Sequence, residues 1–117
     1  MSQVGVNLPE LLMRVENDLA LLDELIGIFT EESPLLLQAL RESIANRDIK
    51  NVEVRSHSLK GMLSGLSLTR AAAMASQLEQ MAREQKPSGF EDVLTLLEFE
   101  MANLLPELDA YMAEVQQ

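Results

Sequence analysis

Apolar residues in this chain recur at intervals of three and four from Leu8 almost to the C-terminus, and no stretch alternates with period two. That spacing gathers them on one side of a helix and never on one face of a strand, which confines the chain to all-α folds. In "DLALLDELIGIF" the residues Leu21, Leu22, Leu25, Ile28 and Phe29 form one such face. The same spacing resumes at Leu36, Leu37, Leu40 and Ile44 beyond Pro34, which predicts a single helix bent at the proline.

Capping residues divide the rest. Asn7, followed three residues later by Glu10, opens a short leading helix, "NLPELLMRV". Asp18 opens the long bent helix, and Asp48 opens a third, "IKNVEVRSHSLKGMLSGL", with Val52, Leu59, Met62 or Leu63, and Leu66 inward. Ser67 or Thr69 is the expected cap of a fourth, with Ala71, Met74, Leu78 and Met81 on its buried side. "KPSG" at 86–89 reads as a loop, and Pro106 bends a final helix without ending it. These elements predict an antiparallel four-helix bundle with a short additional N-terminal helix, one domain over residues 1–117.

Composition narrows the chemistry. Only 3% of residues are aromatic and there is no Trp, so the core must be aliphatic, with seven Met filling gaps. The absence of Cys excludes disulfides and thiolate metal sites. "MSQVGVNLPE" lacks the basic-then-apolar pattern of a signal peptide, and no apolar run reaches the roughly 20 residues that span a bilayer. A cytoplasmic protein without membrane insertion is expected. A net charge of −10 argues against nucleic acid as partner. Residues 41–86, however, carry eight bases against five acids, a net of +3, while the remainder nets −13. The single histidine, His57, lies in that one cationic stretch, which would attract an anionic group.

Within "RSHSLKGMLSG" the positions that share the face of His57 are Lys60, Gly61 and Ser64, all polar or small, with Leu59, Leu63 and Leu66 on the other side. His57 is therefore expected at the surface, over a bare patch, with a cation beside it. Gly61 weakens the helix by about 1 kcal/mol relative to alanine, and clearing the approach to the imidazole gives it a reason. If helices three and four form a hairpin turning near Leu68, positions 57 and 79 lie opposite each other, each eleven residues from the turn. Glu79 could then accept from Nδ1–H and leave Nε2 as the nucleophile. Arg83, one turn further, would face Glu53 as a plain salt bridge or stand as a second cation on the side of the ring.

"SHSLKG" resembles the core motif of the histidine-containing phosphotransfer (Hpt) domains of two-component phosphorelays, a His followed by x-Leu-Lys-Gly. The stretch "DLALLDELIGIFTEESPLLLQALRESIANRD", with Phe29 and Pro34, is similar to the family's long second helix, and "AAAMASQLEQMAREQ" to its partner helix. Ser67 departs from the pattern, standing where the family usually has Gly. The resemblance implies a phosphorelay intermediate that accepts a phosphoryl group on His57 from a receiver-domain aspartate or a kinase and passes it to another receiver. It further implies Lys60 as phosphate electrostatics, Glu79 as orienter of the ring, and Gly61, Ser64, Arg55 and Arg83 as partner-docking positions. The implied partners are response-regulator receiver domains and a sensor or hybrid histidine kinase, with the chain itself a monomer. No metal or cofactor is expected of this chain, the Mg²⁺ coming from the receiver.

Two other classes compete. A non-phosphorylated helical adaptor would dock a signalling partner through the same face, and would have no need of the His, Lys and Gly retained here. An enzyme with His57 as general base lacks a second convergent nucleophile, a glycine-rich phosphate loop and an ATP-binding motif.

Overall fold

Asp18 and Asp48 begin helices as their side chains allow: Asp18 Oδ1 accepts from the Leu21 amide at 3.0 Å, and Asp48 Oδ1 from the Asn51 amide at 3.2 Å. Each satisfies an amide that the first turn leaves without a helical partner. In the computed structural model, which describes residues 6–115, the elements are α1 (Leu8–Arg14), α2 (Leu19–Ala45), α3 (Ile49–Gly65), α4 (Thr69–Arg83), a 3₁₀ turn (Pro87–Gly89) and α5 (Phe90–Val115). Pro34 lies within α2 and Pro106 within α5, and neither ends its helix. Three-residue connections reverse the chain between α2 and α3 and again between α3 and α4. Helix α3 packs on α4 and α2, while α5 closes the bundle against α4 and α2. None of the described helices is long and apolar enough to cross a membrane.

The core is aliphatic, as the composition requires. Leu22, Leu40, Leu59, Leu63, Leu78, Leu97 and Leu104 are buried around Phe29. Small residues let α4 approach closely: Ala71, Ala75 and Ala82 are buried, while Met74 and Met81 sit at its half-buried margin. The short α1, capped by Asn7, adds buried Leu11, and its flanks add Val6 and Val15. Arg41–Glu98 at 2.6 Å ties α2 to α5, and Arg70–Glu100 at 3.1 Å ties α4 to α5. Such exposed cations contribute about 0–1 kcal/mol each, so the pairs register the helices more than they stabilise them.

Two expectations change. Leu21 and Ile28, expected on the inward face of α2, are 40% and 46% exposed, because the apolar stripe there is wider than the contact the bundle offers. The cap of α4 is neither Ser67 nor Thr69: Leu68 occupies the cap position with no side-chain bond, and Thr69 is the first helical residue. Leu68 is fully buried, and the core contact outweighs the missing cap.

Ser67 takes φ 58°, the left-handed conformation in which its Cβ crowds the following carbonyl. Its hydroxyl is also buried without a hydrogen-bond partner. Glycine here would relieve both, so Ser67→Gly should stabilise the protein by about 1 kcal/mol, seen as a higher urea midpoint with unchanged slope. A lower midpoint would show that the hydroxyl makes a bond of value.

Candidate functional site

Helix α3 directs successive side chains around its axis, so buried and exposed groups alternate by turn. Ser56 is buried, its Oγ donating to the Val52 carbonyl at 2.6 Å, and the next residue points out. The His57 side chain is 66% exposed. Its Nδ1 lies 2.9 Å from Oε2 of Glu79 on α4, a carboxylate only 5% exposed. A carboxylate only accepts, so Nδ1 carries the proton of this contact, and Nε2 is the ring nitrogen that Glu79 does not engage.

Glu79 holds more than the ring. Lys60 Nζ reaches its Oε1 at 2.7 Å and Arg83 donates to Oε2 at 2.7 Å, while Arg83 also reaches Glu53 at 3.3 Å. Burial alone would raise the Glu79 carboxyl, but the hydrogen bonds from Lys60 and His57, with their charges, outweigh it and hold the group below the ordinary carboxylate range. The pairing therefore stabilises the fold at neutral pH and fades as pH falls through that lowered value.

The other expected residues fall into two groups. Gly61 and Ser64 are exposed on the α3 surface, and a Cβ added at Gly61 would meet nothing within 4 Å. Gly61 therefore accommodates no neighbouring helix. Arg55 is half-buried, with its Nε enclosed and unpaired, and among the described residues it is not one of the partners of Glu79.

Two features escaped the sequence. Lys60 and Arg83 share one carboxylate with His57, which the i,i+4 spacing of Glu79 and Arg83 could have suggested for Arg83. An apolar hollow of about 240 Å³ lies beside the site, floored by Phe29 and rimmed by Leu25, Ile28, Gly61, Met62 and Gly65. The excess width of the α2 stripe was its signal. Among the described residues, no group of three or more His, Asp or Glu could hold a metal ion.

Fold and site together define a helical-bundle protein built around one presented histidine, with one ring nitrogen anchored and the other free. The chain belongs to the Hpt domain family, whose model matches residues 24–117, from early in α2 through α5. Domains of this family carry phosphoryl groups on histidine in phosphorelays, in exchange with receiver domains and histidine kinases. No curated protein and no solved structure matches the chain.

Proposed function

We propose that this chain is a phosphorelay intermediate in which His57 Nε2 accepts a phosphoryl group from a receiver-domain aspartate, or from a kinase, and passes it to another receiver's aspartate. The observation that carries this is the His57–Glu79 pair: an exposed ring whose inner nitrogen is bonded to a buried carboxylate at 2.9 Å. Such anchoring fixes the tautomer and costs the nucleophile nothing when a donor arrives. Phosphoryl transfer then requires positioning and charge neutralisation more than covalent chemistry from the protein. Lys60 supplies a cation within reach of the phosphoryl oxygens once it leaves Glu79. Gly61, Ser64 and the neighbouring hollow offer a flat approach for the receiver, which brings its own acceptor and Mg²⁺. Arg55 and Arg83 would border this docking face. The chain acts as a monomer in the cytoplasm and hydrolyses nothing itself.

The test is incubation of the full chain with receiver domains carrying ³²P-aspartyl phosphate. Label that moves to this chain, is lost in acid and survives alkali supports the carrier. Stable binding of receivers with no label transferred would favour an adaptor instead.

A further inference from the structure

The outer face of α5 takes no part in the bundle, and we propose that it docks a cationic amphipathic helix of another protein, on the side of the molecule away from His57.

Helix α5 carries two apolar faces. The inner one, through Leu97, Met101, Leu104 and Leu108, is buried where α5 packs on α4 and α2. The outer one runs through Leu96, Phe99, Asn103, Pro106, Ala110 and Ala113, all exposed. Its two large members, Leu96 and Phe99, are 56% and 69% exposed. Single apolar side chains at a surface are ordinary. A row at alternating three- and four-residue steps is different, because that spacing is the seam by which one helix receives another. Asn103 is its polar member, of the kind that fixes register in such seams. Beside the row, Pro34, Leu37, Ala102 and Leu105 line a groove of about 190 Å³ between α5 and α2, with room for a side chain of the incoming helix.

Charge selects the occupant. Helix α5 contains Glu91, Asp92, Glu98, Glu100, Glu107, Asp109 and Glu114, and no Lys, Arg or His. Glu98 and Glu100 are paired with Arg41 and Arg70, while among the described residues the other acids have no ion-pair partner. Helical spacing puts Glu91 and Asp109 on one flank of the row and Glu107 and Glu114 on the other. Burial and the charge of Glu100 push the Glu107 carboxyl above the ordinary range, with Arg70 opposing them. An arriving cation would offset that. A second copy of α5 laid on the row would instead bring carboxylates against carboxylates, and an anionic lipid surface would meet the same repulsion. The complement is a helix with apolar residues at the same steps and Lys or Arg on both flanks. At 1.5 Å per residue the row is about 26 Å long, which matches a partner helix of about 18 residues.

Helices α3 and α5 each pack on α4 and α2, which sets them diagonally across the bundle. The outer face of α5 therefore points away from the helix that presents His57. A partner held there leaves the histidine open to another protein.

The probe is a synthetic helical peptide of that length, with leucines at alternating three- and four-residue steps flanked by lysines. A counterpart keeps the leucines and replaces the lysines with glutamates. Each is titrated into the ¹⁵N-labelled full chain and the amide resonances are followed by NMR. The lysine peptide should shift amides along residues 96–113 and bind more weakly as salt is added, while the glutamate peptide shifts none. Phe99→Ser should weaken binding at least about tenfold, as loss of a central aromatic anchor does. Ile28→Ser, on the other exposed apolar face, should leave it unchanged. Both side chains are exposed, so both variants should fold, and Leu96→Ser serves as a second α5 variant if Phe99→Ser lowers the melting temperature. Shifts gathered around Leu25, Ile28 and Gly61, an equal response to the two peptides, or wild-type affinity in the α5 variants would overturn the proposal. So would sedimentation showing self-association of the wild type that Phe99→Ser abolishes, since the row would then join copies of this chain.

Discussion

His57→Gln should take up no acid-labile label from a phosphorylated receiver, yet melt within about 0.5 kcal/mol of wild type. The two halves of this expectation come from one observation. A ring two-thirds exposed contributes little to the core, and Gln is a good helix former at an exposed position on α3. Glu79 keeps Lys60 and Arg83 as partners when the imidazole is gone, so its buried carboxylate is not stranded. What disappears is the sole imidazole in the chain, and an amide cannot take its place as a phosphoryl acceptor. Label retained at the wild-type level would place the acceptor elsewhere. A collapse of the melting transition would mean that the ring is a structural member of the α3–α4 pair.

Gly61 should show the next largest effect, and in a way that distinguishes docking from chemistry. With nothing within 4 Å of an added Cβ, Gly61→Leu meets no obstacle to folding, and Gly61→Ala should stabilise α3 by up to about 1 kcal/mol. Leucine, however, would stand on the rim of the apolar hollow one turn from His57, on the face proposed for the receiver's approach. A displacement of about 1 Å from in-line geometry can slow a reaction about 100-fold, so transfer from a receiver should fall by at least that factor. Loading by phosphoramidate needs no macromolecular approach and should be unaffected. Transfer to Gly61→Leu at the wild-type rate, or destabilisation by alanine, would remove the docking explanation for this glycine.

Much of the bundle was legible because it rests on local chemistry. Asp18 and Asp48 announce their helices through a side-chain bond three residues long, and the apolar period names Leu22, Leu40, Leu59 and Leu78 as inward. The His57–Glu79 contact followed from a hairpin register, since an antiparallel pair with a short turn leaves one choice of partner. The rest was hidden for identifiable reasons. Register counting finds side chains directly across a helix pair, while Lys60 reaches Glu79 diagonally on a long flexible stem. Ile28 carries the same period as its buried neighbours, and only the width of the opposing helix decides that it stays exposed. The start of α4 misled because Ser67 and Thr69 are good caps by type. Burial of Leu68 overrode them, a tertiary effect that no three-residue window contains.

The helix ends described above have a consequence for how this chain could change over generations. Glu16, Asn17, Arg47, Ser67 and Gln85 all hold the left-handed conformation at the ends of helices, and none is a glycine. Meanwhile Gly27, Gly61 and Gly65 lie inside helices, facing open space. Glycine is thus missing where it would relieve the backbone and present where it weakens a helix. A lineage pressed toward higher temperature has a cheap direction to move, acquiring glycine at the turns, where the backbone already holds the left-handed conformation. The in-helix glycines are the opposite case, where tolerance of heat and access for a partner pull against each other, so the turns should drift first and the bare surface last.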